Sequence, residues 1–262
     1  MIYCFSGTGN TMYAARLLAQ SLGDTIHLFT SNELRDPQNC VLECEDDIVV
    51  WMFPTYSWGV PPVMRNIFRH ATLRFAPAAR HIAVTTCGDD IGNLARMFRA
   101  DLEKRGLSPG AVFSVQMPNT YVMMKGFDVD SESLARQKIE ASTFRIDEIA
   151  HAINDGHTSP HQDIVVRGSF PAFKTRLIYP WFVRHEMNPD GFRVDVNTCV
   201  SCEKCAASCP MSNITYDSDN HPVWGDKCAF CTACYHICPT HAITWKRTTL
   251  QKGQYRNPFN LK

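Results

Sequence analysis

The chain shows no charge bias: 26 Lys and Arg stand against 26 Asp and Glu, so the formal net charge is +0. That balance gives no electrostatic footing for nucleic acid or for an anionic membrane. It also lacks an apolar run long enough to span a bilayer, so no stable membrane insertion is expected. The first residues, Met1-Ile2-Tyr3-Cys4-Phe5, already read as a buried strand and leave no room for a signal peptide. A cytoplasmic location is the expectation. No acid–base pair or nucleophile constellation stands out, and no catalytic residue is assigned. Hydrophobic residues at 45 % and charged residues at 20 % are ordinary for a globular protein, and 262 residues leave room for two domains.

What is abundant is cysteine, and its spacing is specific. Cys199-x2-Cys202-x2-Cys205-x3-Cys209-Pro210 is followed by Cys228-x2-Cys231-x2-Cys234-x3-Cys238-Pro239. In a run of this kind three cysteines hold one [4Fe–4S] cluster, and the fourth crosses to the other cluster. The spacing therefore assigns Cys199, Cys202, Cys205 and Cys238 to one cluster, and Cys228, Cys231, Cys234 and Cys209 to the second. Two zinc sites would not need the x3-Cys-Pro ending twice, and disulfides need an oxidising compartment that nothing here suggests. Exposed clusters imply a reducing, anaerobic cell.

The runs are also an internal repeat, because Ile214-Thr215-Tyr216 and Ile243-Thr244-Trp245 follow at the same offset. Each half predicts a cysteine loop, a short helix and a strand, packed about a pseudo-twofold axis. From Asn188 onward eight Lys and Arg face six Asp and Glu, and the end leans basic through Lys246, Arg247, Lys252, Arg256 and Lys262. Of twelve cysteines, Cys4, Cys40, Cys44 and Cys87 remain outside the runs. Cys40 and Cys44 sit among Glu43, Glu45 and Asp46, which raise a thiol pKa, so they read as ordinary reduced thiols.

The N-terminal part alternates strand and helix. Strands are predicted over 2–5, 25–29, 47–53, 81–86 and 111–117, with helices through Leu22 and over 62–71 and 92–105. Ser131 is placed to cap a long helix with apolar positions Leu134, Ile146, Ile149 and Ile153, ending near Gly156. The run Ile48-Val49-Val50-Trp51-Met52-Phe53 fits burial on both faces of a parallel sheet. Ligands in such a sheet sit at the carboxyl ends of the strands.

The loop after the first strand, Ser6-Gly7-Thr8-Gly9-Asn10-Thr11, offers four side-chain donors, two glycines and a following helix N-terminus, which together make a phosphate cradle. It has neither the lysine of a nucleotide P-loop nor, with Met12 in its place, the third glycine of a dinucleotide fingerprint. A lysine-free, hydroxyl-rich cradle suits a single terminal phosphate, as in flavin mononucleotide (FMN). Pro54-Thr55-Tyr56-Ser57-Trp58-Gly59 puts Tyr56 and Trp58 beside the expected ring, and Thr86-Cys87-Gly88-Asp89 can bring backbone groups to its edge. The plainer alternative is that Tyr56 and Trp58 only cover the top of the sheet.

With these loops the first ~160 residues resemble flavodoxin, and the whole chain resembles a family of fused flavodoxin–ferredoxin proteins. The resemblance implies a five-stranded doubly wound parallel sheet of order 2-1-3-4-5 over 1–160 and a small α+β two-cluster ferredoxin domain over 190–248. A helical connector over 161–189 and a tail over 249–262 complete the division. It further implies that Asn119 and Tyr121, in Met117-Pro118-Asn119-Thr120-Tyr121, belong to the flavin site, and that Gly253-Gln254-Tyr255-Arg256-Asn257-Pro258 recurs in the family. One departure stands out. Many flavodoxins stack a fourth-strand tyrosine on the flavin, whereas this chain has Asp90, Ile91 and Gly92. Either Tyr121 substitutes, or that face is open to a partner or to the chain's own ferredoxin domain.

In the connector, Phe170, Phe173, Leu177, Ile178, Trp181 and Phe182 form one helical stripe, expected to pack between the domains, and Pro180 should kink or end the helix. A membrane-surface helix is the less favoured alternative. The resulting expectation is electron transfer between FMN and two [4Fe–4S] clusters for a redox partner protein, with no nucleic-acid partner. The rival is a self-sufficient iron–sulfur flavin reductase acting on a small oxidised substrate; a redox sensor, or a flavodoxin domain that has lost its flavin, is a third possibility.

Overall fold

The computed structural model describes residues 1–259; Asn260, Leu261 and Lys262, the end of the expected tail, lie outside the described residues. The first part runs β1 (Ile2–Cys4), α1 (Asn10–Leu22), β2 (Ile26–Leu28), α2 (Ser31–Arg35), β3 (Val41–Cys44), β4 (Ile48–Pro54), α3 (Pro62–His70), β5 (Thr72–Phe75), β6 (Arg80–Cys87), α4 (Leu94–Glu103), β7 (Ser108–Gln116) and α5 (Glu132–Asn154). The main sheet has the order β2-β1-β4-β6-β7 and every pairing in it is parallel. Counting these five strands alone gives the expected 2-1-3-4-5, the flavodoxin-like doubly wound arrangement. Two apolar layers flank it. One holds Trp51, Phe53, Phe68 and Phe98, the other Ile2, Val50, Val84 and Phe113. Burial on both faces is why β4 lacks the alternation of a half-exposed strand.

Some details depart from expectation. β3 and β5 pair as a separate two-stranded parallel ladder that the sequence pattern did not reveal. β7 begins three residues early, through Pro109 and Gly110, because an edge strand with a register shift opposite His81 and Ala83 tolerates both breakers. Leu134 was expected on the buried face of α5 but is 40 % exposed; Ala135, Ile139, Ile146, Ile149 and Ile153 carry the buried stripe. Ser131 does cap this helix, its hydroxyl accepting from the Leu134 N–H at 3.3 Å.

The remaining elements are α6 (Pro171–Phe173), α7 (Tyr179–His185), β8 (Phe192–Val194), α8 (Lys204–Ala207), β9 (Ile214–Tyr216), β10 (Pro222–Trp224), α9 (Ala233–Ile237) and β11 (Ile243–Trp245). The strand ending the first cysteine run, β9, pairs with β10, and the strand ending the second, β11, pairs with β8, both antiparallel. This is the exchange that a pseudo-twofold repeat predicts. Among the described residues no helix is long and apolar enough to cross a membrane.

The connector stripe is corrected. Phe170, Phe173, Leu177 and Trp181 are 79 %, 55 %, 61 % and 47 % exposed, and only Phe182 of the expected stripe is fully buried. A π-helical turn over Lys174–Ile178 separates α6 from α7. The extra residue turns the following face by roughly 100°, and Pro180 in the first turn of α7 has no N–H to restore the α register. The inward face is instead Thr175, Tyr179 and Phe182. The Tyr179 hydroxyl donates to the Val60 carbonyl at 2.6 Å, and its ring fills the space beside Gly59.

Two expectations follow. Tyr179→Ala should cost about 3 kcal/mol, as for a large buried ring, while Trp181→Asp stays within about 0.5 kcal/mol; equal losses in chemical denaturation would contradict this inward face. His81 is buried and accepts from the Trp51 indole N–H at 3.1 Å through Nδ1, and burial pulls its pKa down to about 4. The unfolded chain therefore binds this proton first, and stability should fall as pH drops from about 6.5 towards 4. Calorimetry of His81→Gln should show that slope reduced by close to one proton.

Candidate functional site

The strand ends and the ferredoxin-like part meet over one cavity of about 380 Å³. The loop after β1 supplies Gly7, Thr8, Asn10 and Thr11; the loop after β4 supplies Pro54, Thr55, Tyr56, Ser57 and Trp58; the β6 end supplies Thr86, Cys87, Gly88 and Asp89. Asn119 and Tyr121 line it as well. Three expected residues stand back from it. Ser6 accepts the Met12 N–H at 3.2 Å, Gly9 caps α1 with φ 102°, and Gly59 abuts the Tyr179 ring. They shape the loops rather than line the cavity.

The cradle differs in its donors from the sequence expectation. Asn10 is committed to the Pro118 carbonyl at 2.9 Å, and the Thr11 hydroxyl lies 2.7 Å from that of Thr86. The Gly7, Thr8 and Gly9 N–H groups have no hydrogen-bond acceptor among the described residues. With the first turn of α1 behind them, they supply the anion-binding capacity. Among the described residues no Lys, Arg or His lines the cavity. An anion bound here would be held by backbone dipoles.

The Tyr56 loop is a two-residue hairpin. Tyr56 and Gly59 exchange backbone hydrogen bonds at 3.0 and 2.9 Å, while Ser57 and Trp58 adopt φ 44° and 63°. Such a turn favours Asn-Gly, so left-handed Ser and Trp cost on the order of 1 kcal/mol each. The connector holds it in place. Thr175 donates to the Trp58 carbonyl at 2.8 Å and accepts from the Asn93 N–H at 2.9 Å. Lys174 pairs with Asp90 at 2.6 Å and lies over the Trp58 ring. Behind the Gly88 loop, Lys138 donates to the Gly88 carbonyl at 2.9 Å and pairs with Asp130 at 2.8 Å.

At the departure from the flavodoxin pattern, Asp90 lines the cavity. Ile91 is buried and Gly92 abuts Thr175 and Trp58. Tyr121 lines the cavity, edge-on to Phe127 and Phe182. Phe182 from the connector and Phe230, Cys231 and Thr232 from the second cysteine run close the same cavity. Met117, Pro118, Thr120, Met124, Phe127 and Ile178 complete the unforeseen lining. Met117, Pro118 and Thr120 belong to the fifth-strand loop from which only Asn119 and Tyr121 were assigned to the site; the cross-domain residues carried no local signal.

The cysteine loops repeat their backbone. Ser201, Glu203 and Ser212 have positive φ, as do Phe230, Thr232 and His241 at equivalent positions. Cys209, Cys228, Cys231 and Cys234, the set expected for one cluster, line a single small cavity with Met211, Ala229 and Trp224. Backbone N–H groups of Asn213 and Phe230 donate to the Cys209 and Cys228 sulfurs at 3.4 and 3.3 Å, and that of Ala242 to Cys238 at 3.2 Å. Burial pushes the Cys228 thiol up to about 11 and Cys234 to about 12. Among the described residues no group of His, Cys, Asp or Glu closes on a single ion. Thiols spread around a cavity fit a multi-atom cluster better than one zinc. Cys40 is raised to about 11 by burial first and Glu33 second, in line with an inert thiol.

Residues 192–245 match the model of a 4Fe-4S dicluster domain. A ferredoxin from Methanothermococcus thermolithotrophicus is 38 % identical over 56 residues, which is 20 % of this chain and 93 % of the ferredoxin. By this segment the chain belongs to the ferredoxins, and it joins that domain to a flavodoxin-like α/β domain. A flavodoxin from Streptococcus pneumoniae TIGR4 is similar in structure with a TM-score of 0.31 and 17 % identity, over 57 % of this chain and 94 % of that one. A short-chain flavodoxin associated with a non-canonical PDU bacterial microcompartment gives 0.34 and 16 %, over 60 % and 95 %. The strand order carries the flavodoxin-like assignment. Iron–sulfur clusters and a flavin are the cofactors these two domains support, and electron transfer is the class of function.

Gly7 is the tightest point of this site. A β carbon there would stand 2.6 Å from that of Cys231. Gly7→Ala should force the Cys231 loop away and cost about 1–3 kcal/mol. An unchanged melting temperature by calorimetry would show that this contact yields freely.

Proposed function

We propose that this chain binds one FMN and two [4Fe–4S] clusters and passes electrons between them within a single molecule, coupling one- and two-electron carriers for a redox partner protein. Residues 1–160 form the flavin-binding unit, 161–189 the bridge, and 190–248 the cluster-binding unit. One observation carries the reading. Cys231 of the second run walls the same cavity as the Gly7–Thr11 cradle, so cluster and flavin sites share a boundary. Electron tunnelling falls off exponentially with separation, and a shared wall keeps the separation short.

The cavity volume, about 380 Å³, sits at the small end of cofactor pockets and favours a mononucleotide. In this reading the N–H groups of residues 7–9 hold the phosphate, and the Tyr56–Trp58 turn and Tyr121 flank the ring. Cys199, Cys202, Cys205 and Cys238 ligate one cluster, and Cys209, Cys228, Cys231 and Cys234 the other. The bound groups supply the redox chemistry. The protein fixes their spacing, excludes water with Phe182 and Phe230, and directs backbone N–H groups at the sulfurs.

Anaerobically purified protein should contain about eight irons per chain and FMN. Thr8→Glu should abolish flavin binding by placing a carboxylate in the phosphate site, while iron is retained. In stopped-flow reduction, flavin and cluster absorbance should change together at a rate independent of protein concentration. Independent or purely bimolecular responses would overturn intramolecular transfer. Saturable turnover of a small quinone without a partner would favour the reductase reading instead.

A further inference from the structure

Two buried donors, one from each domain, lie in cavities that Cys231 also lines. The Tyr56 hydroxyl is buried and has no hydrogen-bond partner among the described residues. Its ring lines the large cavity, and two backbone hydrogen bonds with Gly59 hold the turn that carries it. Cys231 lines the same cavity as Tyr56, and Tyr56, Cys209 and Cys228 pack against one apolar cluster. The second donor is the Trp224 indole N–H, also buried and unpaired. It belongs to the lining of the cavity shared by Cys209, Cys228, Cys231 and Cys234. An orphaned buried donor costs about 1–3 kcal/mol. Two of them beside one set of cysteines mark a place where sulfur acceptors are to be met.

The counterpart set differs in exposure: Cys202 is exposed, and Tyr216, beside Cys205, donates its hydroxyl to the Glu203 carbonyl at 3.2 Å. The repeat thus has one set with an exposed cysteine, Cys202, and one set whose Cys231 lies against the flavodoxin-like domain.

We propose that Tyr56, a residue of the flavodoxin-like domain, donates a hydrogen bond to a sulfur of the cluster held by Cys209, Cys228, Cys231 and Cys234, and thereby tunes that cluster as the flavin's immediate exchange partner. This rests on the function proposed above. A donor to sulfur stabilises the reduced cluster, which carries one more negative charge, so it raises that cluster's potential over the value without it. Trp224 acts on the same cluster from the far side. The cluster of Cys199, Cys202, Cys205 and Cys238, with Cys202 at the surface, is the exchange point for a partner.

The test is an anaerobic redox titration of the full chain followed by electron paramagnetic resonance. Tyr56→Phe, which keeps the ring, should lower the midpoint of one cluster by the equivalent of about tenfold in its one-electron equilibrium, 59 mV. The other midpoint should stay. Trp224→Phe should shift the same signal, and Cys209→Ser should identify it by altering that signal alone. Unchanged midpoints in a chain that keeps about eight irons and its flavin would overturn the role of Tyr56 and leave the proposed function standing. A shift confined to the signal altered by Cys238→Ser would overturn the assignment of the exchange partner. A chain that binds no iron would overturn the proposed function itself, and this inference with it.

Discussion

The close approach of Gly7 and Cys231 is the constraint on which the rest of the arrangement depends. A phosphate cradle needs backbone N–H groups to converge on an anion, and a cluster loop needs backbone wrapped around sulfur. Both are left-handed or glycine-rich segments with little side-chain bulk on the inner side. That shared economy lets two cofactor loops lie against each other with a single missing β carbon between them. Any larger residue at position 7 would set the two loops apart.

Holding that contact requires the flanking chain to be tied down, and three segments do so. The connector fastens the Tyr56 and Asp90 loops through Lys174, Thr175 and Tyr179. The loop after β7 meets α9, where His236 Nε2 lies 2.8 Å from the Thr120 carbonyl. Its Nδ1 accepts the Tyr255 N–H at 3.1 Å, so Nε2 carries the proton and the ring is neutral, consistent with burial lowering its pKa to about 4. The tail then crosses back. Asn257 donates to Asn10 at 3.0 Å, which in turn holds Pro118, and Phe259 stacks on Tyr13. Electron transfer demands a fixed distance, and these ties spread the task of fixing it over the whole length of the chain.

How much of this was legible depended on whether the information was local. Cysteine spacing, the capping serine at 131 and the β–loop–α pattern around Gly7 and Gly9 are short-range signals, and they located the cluster loops, α5 and the cradle. The connector stripe failed for a physical reason: a π turn before Pro180 shifts the phase, and periodicity assumes constant phase. Asn10 and Thr11 looked like anion donors because their side chains suit the task, yet tertiary partners at Pro118 and Thr86 claim them. Phe230, Cys231 and Thr232, which share the cavity with Tyr56, lie far along the chain, beyond the reach of any local pattern.

The cysteine repeat shows how a symmetric unit becomes directional. Its two halves share backbone conformation at equivalent positions, which alone would give two equivalent clusters. Docking breaks the equivalence. Phe230 and Thr232 are buried, whereas Glu203, the counterpart of Thr232, is exposed. A charged thiolate set surrounded by rings and an aliphatic wall differs in dielectric and in hydrogen-bond donors from one that meets water, and those are the terms that set cluster potential. The asymmetry therefore comes from the neighbour rather than from the repeat: the flavodoxin-like domain packs against the second half at Cys231 and Thr232, while Cys202 and Glu203 of the first half stay exposed.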